Sequence, residues 1–267
     1  MTDVNIQELH DFAREVARTG GRTTLDWFSR SDLAIETKSD DSPVTIADRT
    51  TETVIREAVT RRFPDHAVVG EEHGGTISGT GLEWVIDPID GTKTFVRGVP
   101  LYTTLVAVLH DGVPVVGVIH APATGEMVSA ASGCGARDER GRPIRVSTVQ
   151  DLGASWYGTT DPADFYRRHP AFSTALLAHC HAARTWADAY GYMLLARGAI
   201  DLMIDPILAP WDVAPLGVIV REAGGVFTDF AGKEEKLGTS AIASANETLH
   251  RSVLELKDAT DAALPHE

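Results

Sequence analysis

The 267-residue sequence is poor in cysteine: Cys134 and Cys180 are its only two, with no CxxC spacing. A disulfide framework and a thiolate zinc site are thereby excluded, and a reducing cytoplasm is the compartment that fits. Positive charge is also scarce, with 24 Lys and Arg against 38 Asp and Glu and a formal net charge of −14. Nucleic acids and anionic membranes need a basic surface, so neither is expected as a partner. No apolar run approaches the roughly 18 residues of a membrane span. The first twenty residues carry acids throughout and lack an apolar core, which predicts a helix and not a leader. Internal repeats and low-complexity tracts are absent too. An anionic substrate would meet repulsion from so acidic a chain unless metal cations or local dipoles stood at the site.

The composition is 43% hydrophobic and 23% charged, within the ordinary globular range. Ile6, Leu9, Phe12, Ala13 and Val16 recur at helical spacing and predict a first helix running into the Trp27 region. Thr45 or Asp48 caps a second, which stops at Phe63-Pro64. Strands are predicted at Ala67 to Val69 and at Glu83 to Ile86, the latter ending at Asp87. Further strands are predicted at Thr103 to Leu109, Val113 to His120, Met127 to Ala131 and Pro143 to Val146. Helices follow near Phe172 to Ala182, Tyr190 to Arg197 and Asp212 to Ala223, with strands at Ile200 to Ile204, Val226 to Phe230 and Ala241 to Ser244. Asn246 caps a last helix. Hairpins mixed with helices predict an α+β fold. One domain is expected over 1–267, as two packed halves of approximately 1–148 and 149–267.

The strongest local feature is Asp87-Pro88-Ile89-Asp90-Gly91-Thr92. A buried strand delivers two carboxylates onto a turn stiffened by proline. Hard divalent cations take oxygen ligands, and magnesium is held by a few carboxylates plus phosphate and water. Gly91-Thr92 opens a helix whose free N–H groups can receive a phosphate. The competing reading is a simple turn, because Asp-Pro and Asp-Gly are common turn dipeptides. Glu71 ends another apolar strand, and Asp212 opens an apolar helix, where it also suits a cap. Together Glu71, Asp87, Asp90 and Asp212 would repel one another unless cations neutralised them.

With these residues in view, the sequence resembles the inositol monophosphatase superfamily. Trp84 to Phe95 matches one signature, and Trp211-Asp212-Val213-Ala214 through Arg221-Glu222-Ala223-Gly224-Gly225 matches the other. Gly70-Glu71-Glu72 and Pro43 to Asp48 match as well, so nearly the whole chain is covered. The resemblance implies a layered αβαβα sandwich, a homodimer, two or three Mg2+ ions per site, a small phosphomonoester substrate and sensitivity to lithium. It implies that Glu71, Asp87, Asp90 and Asp212 are magnesium ligands, with Ile89 giving its backbone carbonyl. By the same resemblance, Gly91 and Thr92 contact phosphate, Thr92 with Asp48 helps to orient and deprotonate the attacking water, and Lys38 stands on a mobile loop at the site. Pro215 departs from the pattern; it is expected near the first turn of its helix, where a lost N–H matters little.

Substrate choice is expected to lie in Trp186 to Tyr192 and Asp201 to Asp205. Asp188-x-Tyr190-x-Tyr192, and an aspartate at Asp205 where inositol phosphatases carry glutamate, resemble the histidinol-phosphate phosphatase branch. Added carboxylates suit a substrate with an ammonium and a titratable imidazole. Asp188, Asp205 and Trp186 are therefore the expected substrate contacts, although Asp188 also suits a helix cap. Inositol-1-phosphatase and nucleotide 3′-phosphatase activities are the alternatives within the enzymes. A regulatory homologue without catalysis would have lost metal ligands, and every matched position is intact.

Overall fold

The computed structural model describes residues 5–30, 33–37, 43–234 and 237–262. Lys38 lies outside the described residues. The first helix, α1 (Ile6–Leu25), begins where the Asn5 side chain accepts from the Glu8 N–H. After the short paired strands β1 (Ile35–Thr37) and β2 (Pro43–Thr45), α2 (Ile46–Arg62) starts at a reciprocal cap. Thr45 Oγ1 accepts from Ala47 N, and the Asp48 carboxylate reaches back to Thr45 N at 2.8 Å. Both proposed capping residues thus serve the same helix end.

Six strands form the first sheet in chain order: β3 (Ala67–Gly70), β4 (Leu82–Asp90), β5 (Thr103–His110), β6 (Val113–Ala121), β7 (Glu126–Ala131) and β8 (Ala136–Asp138). All pairs are antiparallel except β3 with β4. A five-residue helix, α3 (Thr92–Val96), follows β4. In the second half come β9 (Trp156–Gly158), α4 (Pro162–Arg168), α5 (Pro170–His179), β10 (Ala182–Arg184), α6 (Asp188–Ala196), β11 (Leu202–Asp205), α7 (Pro210–Glu222), β12 (Val226–Thr228), β13 (Ala241–Ser244) and α8 (Glu247–Ala262). Their five strands make a second, mixed sheet in the order β10-β9-β11-β13-β12.

The period-2 alternation of strand side chains sets the layers. On β5, Val106 and Val108 pack with Leu9, Val16 and Ile55 of α1 and α2. Leu105 faces the opposite layer, built from Met193 and Leu195 of α6 with Leu216 and Val220 of α7. The same middle layer receives Met203, Ala241 and Ala243 from the second sheet. Leu202, Ile204 and Ile242 point the other way, onto Phe165 of α4, Phe172 and Leu176 of α5, and Leu249 and Val253 of α8. The result is an αβαβα sandwich of the α+β class. Both sheets are covered on both faces, which is why β5 and β6 read as nearly unbroken apolar runs.

Several expectations need correction. Pro143 to Val146 is not a strand; it makes one isolated bridge, Arg137 with Pro143. Its N–H groups go to unrelated partners, Ile144 to Ala136 O and Val146 to Ala223 O, while Ile144 and Val146 pack on the middle layer. Burial without a ladder produced the strand-like pattern. The helix expected to reach Ala182 ends at His179, because Ala182 joins β10. Pro215 is the sixth residue of α7 and buried, past the free N–H groups of the first turn. Its ring therefore removes a ladder bond from inside the helix. Gly117 of β6 admits this part of α7, since a Cβ there would stand 2.4 Å from Pro215 O.

Candidate active site

β3 and β4 run parallel and finish side by side, and the Glu71 N–H continues their ladder to Ile86 O at 3.2 Å. Glu71 is thus set beside Asp87. The acids do not follow β4 on a turn, as expected, but lie within the strand. Asp87 pairs with Leu105 and Asp90 with Thr103, so three steps on β4 oppose two on β5. Residues three apart on a regular strand face opposite sides; the extra residue of this bulge brings Asp87 and Asp90 to the same side. Pro88 is tolerated there because bulges release a ladder donor. Thr104 Oγ1 donates to Pro88 O at 2.9 Å and Ile89 N to Asp87 Oδ1 at 3.0 Å, fixing the kink.

Asp212, third in α7, completes the group. One carboxylate oxygen from each of Asp87, Asp90 and Asp212 lies within 4.8 Å of the others. Asp212 also accepts from Ala209 N at 2.8 Å, so capping and clustering coexist in one side chain. Asp90 accepts from Thr103 Oγ1 and from Ala189 N, each at 2.8 Å. Among the described residues, no lysine or arginine forms an ion pair with these three acids.

Burial pushes the carboxyls of Asp87 and Asp90 well above the usual range. Neighbouring charges add to this, chiefly Glu71 at Asp87 and Asp188 at Asp90. Asp212 is raised to about 7, mainly by burial, and Glu71 contributes. Buried carboxylates that resist ionisation next to one another are stabilised when cations join them. An all-oxygen donor set with room beside it suits a hard divalent ion.

The acids open on a cavity of about 360 Å³ that Glu71, Ile89, Gly91, Thr92, Asp188 and Tyr192 also line. Thr92 Oγ1 stands 3.0 Å from Ile89 O and 3.3 Å from Asp48 Oδ1. Asp48 itself is buried behind the wall, and burial raises its carboxyl. Gly91 has φ +80°, and a Cβ on it would lie 2.4 Å from Asp188 Oδ2, so a side chain is excluded on both counts.

Asp188 does not cap α6. It is carried into the cavity by Ala187, whose φ of 51° is strained for a residue with a Cβ. Its carboxylate accepts from Thr94 Oγ1 at 3.4 Å, and burial, then the charge of Asp205, raises it to about 6. Two expected substrate contacts stand elsewhere. Trp186 stacks against Trp156 at 6.2 Å and does not line the cavity. Asp205 is 1% exposed, and its carboxylate is occupied by Thr159, Thr160 and Tyr192. The residues missed were the supports: Thr103 on Asp90, Thr160 in the wall, and Glu52, which holds the Glu72 and His73 N–H groups. Only Asp161-Pro162, a cap followed by proline at the start of α4, was legible and overlooked.

The layered sandwich and the acid-lined cavity define a phosphatase fold: the profile of the inositol monophosphatase family matches residues 5–260, and the chain belongs to that family. It is a phosphatase, of a family that acts on small phosphomonoesters. It is 39% identical over 245 residues to a histidinol-phosphatase of Chlorobaculum parvum, covering 91% of this chain and 93% of that one. A histidinol-phosphatase of Mycobacterium tuberculosis is 41% identical over 234 residues, covering 85% and 89%. Among solved structures, the IMPase of Thermotoga maritima superposes with a TM-score of 0.85 at 31% identity, covering 94% of this chain and 97% of that one. No helix among the described residues is long and apolar enough to cross a membrane.

Proposed function

We propose that the chain hydrolyses L-histidinol phosphate to L-histidinol and phosphate with two or three Mg2+ ions. The observation that carries the metal reading is the buried convergence of Asp87, Asp90 and Asp212, to which no lysine or arginine is ion-paired among the described residues. Glu71, Asp87, Asp90 and Asp212, with the Ile89 carbonyl, would hold the ions. When bound, they supply charge cancellation and Lewis-acid activation of water. The Gly91-Thr92 turn receives the phosphate. Thr92 and Asp48 take up the proton of the attacking water, with the second Asp48 oxygen fixed by Thr45 N and Oγ1 at 2.8 and 2.7 Å. Asp188 meets the cationic leaving group, and Lys38 contributes to the site. Lithium inhibition, a homodimer and a cytoplasmic location belong to the same reading.

The substrate rests on Asp188 in the cavity wall and on relatives that are named histidinol-phosphatases. A panel of histidinol phosphate, inositol 1-phosphate and adenosine 3′,5′-bisphosphate tests it. Histidinol phosphate is expected to have the highest kcat/KM; if it is the poorest of the three, the assignment fails. Sedimentation at two concentrations tests the dimer.

A further inference from the structure

We propose that Asp205 is a positioning residue that sets two parts of the cavity lining through Tyr192 and Thr160 and does not itself contact substrate. This rests on the cavity being where the phosphoester is cleaved. Asp205 ends β11, and donors from two other segments converge on it. From the connection between β9 and α4, Thr160 N donates to Oδ1 at 2.7 Å and Thr159 Oγ1 at 3.1 Å. From α6, the Tyr192 hydroxyl donates to Oδ2 at 2.8 Å. Thr160 and Tyr192 line the cavity, whereas Asp205 does not. A carboxylate that recognises a substrate must offer it an exposed oxygen, and Asp205 is 1% exposed with both oxygens engaged.

The helix it holds has reason to need an anchor. α6 has no side-chain cap, and it begins at the strained Ala187. Its first turn presents Asp188 to the cavity and the Ala189 N–H to Asp90. Tyr192 follows Asp188 by four residues, so the two share a helix face. Fixing the fully buried Tyr192 ring therefore fixes the rotation of α6, and with it the placement of Asp188 and of the donor on Asp90. The tie to Thr160 sets a second part of the cavity lining against the same reference.

Kinetics of D205N, Y192F and the double variant with histidinol phosphate, inositol 1-phosphate and p-nitrophenyl phosphate test the proposal. A displaced wall is expected to lower kcat by about tenfold, with KM changed little. The factor should be similar for every substrate turned over, D205N should lose at least as much as Y192F because it also alters the carboxylate that holds Thr159 and Thr160, and the double variant should lose no more than D205N. Thr159→Val, which removes only one donor, should fall in the same direction by less. Thermal melts on the same samples confine the comparison to folded protein. If D205N does not fold, Y192F and Thr159→Val decide.

A rise in KM for one substrate alone, seen in D205N but not Y192F, would mean direct contact and overturn the proposal. Additive losses, or wild-type rates in folded D205N and Y192F, would overturn it equally. D90N separates the two levels: if it retains full activity, the cleavage site has been misplaced. If it is inactive while D205N and Y192F are normal, only the positioning role fails.

Discussion

The two ends of β4 each bury acidic side chains, and they treat them in opposite ways. Near its start, Glu83 is fully buried, and its two oxygens accept from Ser78 N at 2.7 Å and Gly79 N at 3.0 Å. Seven residues on, Asp90 lies with Asp87 and Asp212 in a group to which no lysine or arginine is ion-paired among the described residues. Glu83 closes a loop by giving stranded N–H groups an acceptor. The acids at the other end oppose one another, a cost that protonation or a bound cation relieves. A buried carboxylate is therefore evidence of a site only after its partners have been counted.

The largest expected effect separates the two ends by activity. Asp90→Asn should lower phosphate release by about a thousandfold or more, because a group acting in the transition state is lost. Its stability without metal should not fall, since one source of repulsion is gone, and a thermal melt checks this. Glu83→Ala should do the reverse. The N–H groups of exposed Ser78 and half-buried Gly79 lose a charged acceptor, at a cost of about 1.5–3 kcal/mol in denaturant unfolding, while the kcat of folded protein stays near wild type. Equal loss of activity in both variants would erase the distinction.

A smaller effect distinguishes buried acids from buried bases. Burial lowers the imidazoles of His10, His120 and His250 to about 4 from an ordinary 6.5. Between those values the unfolded chain binds protons that the folded chain refuses. Each histidine then withdraws stability as the pH falls from about 6.5 towards about 4, at up to about 1.4 kcal/mol per pH unit. His250, which bonds Thr228 and Ser244 through its two nitrogens, is the cleanest to test. Unfolding of His250→Gln should show a shallower slope over that interval than wild type, and an unchanged slope would count against the assignment.

Most of the fold was legible because long elements carry their period. The strand β5 and the caps at Thr45 and Asn246 appear where expected. The three-residue strands β9 and β10 are too short to show one. At the site, the acids could be named from their neighbours in sequence, since Asp87 to Thr92 and Trp211-Asp212 form compact motifs. What could not be read was geometry that depends on another element. The bulge that turns Asp87 and Asp90 to one side is defined only by pairing with β5. Asp205 looked like a substrate contact because nothing local reveals that Thr159, Thr160 and Tyr192 already occupy it.

The proposed divalent-metal site lies at the far end of β4. Isothermal titration of Mg2+ into metal-stripped protein tests it most directly, comparing wild type with Asp87→Asn, Asp90→Asn and Asp212→Asn. Saturable binding to wild type is expected, weakened at least tenfold in each variant, since each removes a charged oxygen ligand. Equal affinity in wild type and all three variants, or no binding to folded wild type, would contradict it.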